Sequence, residues 1–114
     1  MSLHSDLIIF KKADRLAILV YELTGAFPKS ELFGITSQLR RAALSIPTNI
    51  VEGHARKTKK EFKQYINIAL GSLAETQYLF NFSQRLGYHS RDTSELETLI
   101  EETGKVLWSF YRVL

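Results

Sequence analysis

The chain has 114 residues, 45% hydrophobic and 24% charged, a composition that fits one folded soluble domain over residues 1–114 and excludes intrinsic disorder. It has no cysteine, which excludes disulfides, thiolate metal sites and cysteine nucleophiles together. Fifteen basic residues against twelve acidic ones give a net charge of +3, which permits an anionic partner without requiring one.

The longest stretch without a charge, Gln64 to Ala74, is 11 residues, against about 20 for a membrane-spanning helix. The opening segment has no basic leader region, and its apolar run Leu7 to Phe10 is too short for a signal peptide. The expectation is a cytoplasmic protein with no membrane partner.

Taken in chain order, the apolar pattern predicts four helices. Leu16, Leu19, Val20, Leu23 and Phe27 recur at spacings of three and four within a helix from Asp6 to Thr24. Gly25 and Pro28 end it. Ser30 can cap a second helix, with Glu31 favourable in its first turn. That helix carries Ile35, Leu39, Ala42, Ala43, Ile46 and Ile50 on one face. Pro47 lies inside it, removes a backbone donor and clashes with the carbonyl four residues back, so a kink is expected near Ala43 to Ser45. Gly53 closes the segment.

Thr58 and Glu61 form a T-x-x-E capping box for a third helix, Lys59 to Leu86, stopped by Gly87. Its face is Phe62, Ile66, Ala69, Leu73, Thr76 and Phe80. Ser94 and Glu97 offer a second capping box for a fourth helix, whose stripe is Leu96, Leu99, Thr103, Leu107, Phe110 and Leu114. Short connections favour antiparallel neighbours. The fold class is therefore all-α: an antiparallel up-down-up-down four-helix bundle with its second helix kinked near Pro47.

Further apolar residues lie off these faces. Tyr65, Ile68, Leu79 and Phe82 form a second line on the third helix, and Trp108 and Tyr111 do so on the fourth. Two apolar lines on one long helix are hard to bury in a small bundle, so Tyr65, Leu79, Phe82 and Trp108 are expected at an interface between copies.

Charge is concentrated in one place. Residues 54–63 carry Arg56, Lys57, Lys59, Lys60 and Lys63 against Glu61 alone, a net +4, while the rest of the chain nets −1. The start of a helix disfavours cations, so helix stability does not explain them. In the expected bundle Lys11, Lys12, Arg15, Lys105 and Arg112 join this turn at one end, and Asp92, Glu95 and Glu97 lie at the other. Phosphate binding by the basic turn is the functional reading, and a solvated surface the structural one.

Other polar residues read as structural. Folding back about the turn places Arg41 near Glu75 and Ser45 near Asn67. Asn49 and Glu52 stand one turn apart beyond Pro47, where they could bond freed backbone groups or cap the helix. No phosphate-cradling glycine loop, H-E-x-x-H or E-x-x-H motif is present. A metal-free nuclease could be assembled only if Glu52, His54 and Arg41 converged. No catalysis and no cofactor or metal are expected. A protein–protein adaptor is the alternative to nucleic-acid binding.

Two ordered segments carry a resemblance: Gly34 to Gly53, GITSQLRRAALSIPTNIVEG, and Lys60 to Glu75, KEFKQYINIALGSLAE. They are similar to the bacterial "four helix bundle protein" family, encoded in intervening sequences of 23S ribosomal RNA genes, over roughly residues 5 to 112. Thr48, Val51 and Phe10 depart from its usual residues. The resemblance implies a bundle that assembles into a ring, most often a homopentamer, with no established catalytic activity. A similar bundle, the accessory protein of diversity-generating retroelements, binds nucleic acid and a reverse transcriptase. RNA or DNA is therefore the leading partner class by analogy of fold, with a protein partner as the alternative.

Overall fold

The computed structural model describes residues 3–114, with side chains from residue 6 onward. Among these residues all regular structure is helical, with four α-helices and no strand. α1 spans Leu3–Thr24, α2 Ser37–His54, α3 Lys59–Arg85 and α4 Ser94–Val113. The molecule measures 43 × 25 × 17 Å. Its long dimension is that of α3, whose 27 residues extend about 40 Å. No described helix is long and apolar enough to cross a membrane.

The four apolar stripes merge into one core. Leu16, Val20 and Leu23 of α1, Leu39 and Ile46 of α2, Ile66 and Phe80 of α3, and Leu107 and Phe110 of α4 are all buried in it. Each such side chain contributes about 1.5–3 kcal/mol relative to exposure. The core also takes in Ile9, Ala13 and Ala17, because the buried face of α1 begins two turns before Leu16. Buried alanines at 13, 17, 42, 43 and 69 have no bulk to hold neighbouring helices apart.

Contacts between neighbouring helices run in opposite chain order. Between α1 and α2, Asp6 meets His54 and Thr24 meets Arg40. Between α1 and α4, Lys12 meets Glu102 and Arg15 meets Glu95. Between α2 and α3, Ser45 meets Ser72 and Arg56 meets Tyr65. Between α3 and α4, Phe62 packs on Phe110, and Gln84 bonds to Thr93 just before α4.

The helix ends follow local chemistry. Thr58 accepts the Glu61 backbone N–H at 3.1 Å and donates its hydroxyl proton to the Glu61 carboxylate, a working N-terminal cap for α3. At the far end Gly87 adopts φ +68°. The Tyr88 N–H reaches the Ser83 carbonyl and the Gly87 N–H that of Gln84, the paired bonds of a Schellman turn. The start of α4 differs from expectation. Ser94 is already helical, and Asp92 Oδ1 accepts both its N–H at 2.9 Å and its hydroxyl at 2.5 Å. Those bonds favour the ionised carboxylate and lower the Asp92 pKa.

The entry to α2 also differs. Ser30 and Glu31 lie in a short 3₁₀ turn, Lys29–Glu31, followed by a wide turn over Leu32–Thr36. Gly34 breaks the helical run at φ −105°, ψ −118°, so α2 starts at Ser37. From there one helix continues through Pro47 to His54. Past the proline, Thr48 donates its hydroxyl proton to the Leu44 carbonyl at 2.7 Å, and Asn49 Nδ2 donates to the Ser45 carbonyl at 2.7 Å. Gly53 does not close the helix by a left-handed turn. A β-carbon there would stand 2.7 Å from Tyr65 Cβ and 2.8 Å from Phe62 Cδ1, so the glycine permits close approach of α2 to α3.

Candidate nucleic-acid interface

The α2–α3 connection is four residues long, and its backbone is tied to the end of α2: the Ala55 N–H bonds to the Val51 carbonyl and the Arg56 N–H to that of Gly53. With Thr58 capping α3, the turn is held from both sides. It exposes Arg56, Lys57, Lys59 and Lys60 around one helix start, with Lys63 half-buried one turn further on.

These five cations have two kinds of environment. Arg56 donates from Nη2 to the Tyr65 hydroxyl at 2.5 Å and lies over the Tyr65 ring, 5.0 Å from its centre. Lys63 Nζ lies 4.6 Å from the centre of the Tyr111 ring. Both rings are favourable seats for a cation. Lys57, Lys59 and Lys60 have no ion-pair partner among the described residues.

The wider basic end is smaller than expected. Lys12 pairs with Glu102 at 2.8 Å, Lys105 with Glu101 at 3.1 Å, and Arg15 forks onto Glu95 through two bonds of 3.0 Å. The fork holds the Glu95 carboxyl below its ordinary range and the Arg15 guanidinium above its own. Carboxylates of α4 thus neutralise three of the cations expected at the basic end. Helices packed side by side pair their charges along their length, so the net charge of one end of the bundle does not follow from the positions of its cations alone.

The polar residues on α2 and α3 fall out differently from expectation. Arg41 and Glu75 form no ion pair among the described residues; both are exposed, and Glu75 instead accepts from Gln38 at 3.4 Å. Ser45 meets Ser72 at 2.8 Å, and Asn67 stays exposed. Asn67 and Ser72 are five positions apart, about 140° around the helix, so only one can face α2. Asn49 bonds the Ser45 carbonyl and hydroxyl rather than the Ala43 carbonyl that Pro47 leaves without its helical donor, while Glu52 is exposed. His54 Nε2 pairs with Asp6 at 2.9 Å. Arg41 lies thirteen positions earlier on the same helix, about 20 Å away, so Glu52, His54 and Arg41 do not converge.

Among the residues expected at an interface, Leu79 is 7% exposed and belongs to the core. Tyr65 serves Arg56. Phe82 and Trp108 remain open to solvent, and the structure adds Tyr78 and Leu86 to them. Tyr78, Phe82 and Leu86 recur every four residues down the outside of α3, and the first two rings lie 6.2 Å apart. The four-residue spacing was visible in the sequence; the direction of the face was not.

Residues 5–109 match the description "23S rRNA-intervening sequence protein". The chain belongs to that family. No curated protein matches it. A crystal structure of a protein of unknown function from the S23 ribosomal protein family of Bacteroides thetaiotaomicron shares the fold, with a TM-score of 0.85 and 24% identity over 95% of this chain and 98% of that one. In this member of the 23S rRNA-intervening sequence family, the matched region contains the whole α2–α3 turn and Tyr65, the seat of Arg56, whereas Tyr111 lies just beyond it.

Proposed function

We propose that this family member is a non-catalytic, cytoplasmic, self-associating four-helix bundle that binds nucleic acid through the α2–α3 turn. Its helices run up-down-up-down, and α2 bends at Pro47. The opposite chain order of the contacts at the two ends of each neighbouring helix pair supports the topology. The side-chain bonds from Thr48 and Asn49 to the preceding turn support the bend.

The observation that carries the binding reading is the contrast among cations. Lys12, Arg15 and Lys105 are matched to carboxylates, whereas Lys57, Lys59 and Lys60 are exposed and unmatched. They also crowd a helix start, where the backbone dipole repels them. An anion relieves both costs. Arg56 and these three lysines, releasing counterions from a single strand, give a slope of log affinity against log salt of about −3 per engaged turn.

Filter binding of labelled RNA and DNA at low and moderate salt tests the reading. Glutamine at Arg56, Lys57, Lys59 and Lys60 should weaken binding to every sequence and flatten the salt dependence. No binding by the wild-type chain at low salt would discard it and leave the protein–protein adaptor in its place. Self-association through the Tyr78, Phe82 and Leu86 stripe, as a homopentamer by family resemblance, is tested by sedimentation equilibrium: Tyr78→Glu with Phe82→Glu should give monomer.

A further inference from the structure

We propose that Trp108, backed by Tyr111, forms a stacking platform for the bases of a single strand whose phosphates the neighbouring turn holds; this rests on the nucleic-acid reading above. Trp108 is the only tryptophan in the chain, and it is 52% exposed. The core draws on Leu107 and Phe110 of the same helix and leaves Trp108 outside. Its ring lies nearly parallel to that of Tyr111, at 17° and 5.6 Å between centres. Tyr111 is partly buried against the core and backs the indole, so Trp108 offers the open aromatic surface of the pair.

That surface adjoins the cations. Lys63 sits over Tyr111, and its neighbour Phe62 packs on Phe110, with ring centres 5.3 Å apart. The aromatic pair is thereby fixed to the first turn of α3, one helical turn from unmatched Lys60. Stacking surface beside unpaired positive charge is the combination that binds single strands, because every base has a π face and every nucleotide a phosphate. In a duplex the base faces are covered by one another, so the platform selects unpaired nucleic acid and tolerates any sequence.

Because Trp108 has no tryptophan competitor, its fluorescence reads this site directly. The full chain is titrated with an oligothymidylate about 15 nucleotides long and with a blunt duplex of the same length, since single-strand sites span roughly 4–16 nucleotides. The single strand should quench Trp108 and bind more tightly than the duplex. Trp108→Ala should weaken single-strand binding roughly five- to hundredfold with the salt dependence unchanged, since no phosphate contact is lost. Trp108→Phe should restore much of the affinity. Single-strand binding with unaltered Trp108 emission and unaltered affinity in Trp108→Ala would overturn the platform while leaving the cationic turn standing. A duplex bound as tightly as the single strand would overturn it too. Absence of binding to either ligand at low salt would remove both readings.

Discussion

Tyr88 donates its hydroxyl proton to Glu31 Oε2 at 2.6 Å across 57 positions of sequence. This bond ties the α1–α2 connection to the α3–α4 connection at one end of the molecule. The Schellman turn at Gly87 aims Tyr88, and Phe27 supports its ring edge-on at 5.7 Å. Gly34 keeps the acceptor free, since a β-carbon there would stand 2.6 Å from Glu31 Oε1.

Tyr88→Phe should therefore lower the urea midpoint of unfolding. The Glu31 bond, then burial, raises the Tyr88 pKa above its ordinary value of 10.0. A raised folded pKa means that the contribution is complete below pH 10 and fades as pH rises through the folded value. Wild-type protein should show that alkaline loss, and Tyr88→Phe should lack it; denaturant titrations on either side of pH 10 decide the matter.

Gly53→Ala should destabilise by about 1–3 kcal/mol, the usual cost of overpacking. The added methyl meets Tyr65 Cβ and Phe62 Cδ1, which belong to the base of a capped helix and cannot swing away. Chemical denaturation measures the loss. A neutral variant would mean that α2 and α3 separate more easily than their contact distances indicate.

His89 is sandwiched between Phe27 and Phe80, nearly parallel to both, with ring centres 6.2 and 6.3 Å away. Both its nitrogens are shut from solvent and have no partner among the described residues. Desolvation, helped by Arg91, lowers its pKa from 6.5. The neutral ring is thus the folded form, and its contribution is complete above pH 6.5 and lost as pH falls through the lower folded value. His89→Phe should remove this acid sensitivity, seen as a flatter melting temperature below pH 6.5.

Thr103 is fully buried on α4, and its hydroxyl has no hydrogen-bond partner among the described residues. Thr103→Val keeps the shape and removes an unsatisfied polar group. It should raise stability by about 1 kcal/mol, read as a higher denaturant midpoint.

The four helices were legible because apolar spacing is a local property. Leu16, Ile46, Phe80 and Leu107 could be placed inside from their own neighbours in sequence. The Thr58 cap and the Gly87 stop were legible for the same reason. Arg41 and Glu75 were misplaced because their meeting depends on helix rotation, which follows from packing at Ser45 and Ser72. Glu31 looked like a helix-start residue because its distant partner, Tyr88, leaves no mark nearby. The cationic turn was legible as a run of charge, but its aromatic surroundings were not, since Lys63 and Tyr111 are 48 positions apart in the chain.

The turn at Gly87 places its backbone at φ +68°, with nothing within 4 Å of where a β-carbon would stand. The obstacle to a side chain there is handedness rather than room. L-Alanine would carry the strain of a left-handed conformation, about 1–2 kcal/mol, whereas D-alanine adopts that region as its own. A synthetic chain with the mirror-image residue at this one position would keep both Schellman bonds and restrict the unfolded chain. It should outlast the natural protein on heating, although no ribosome could have made it.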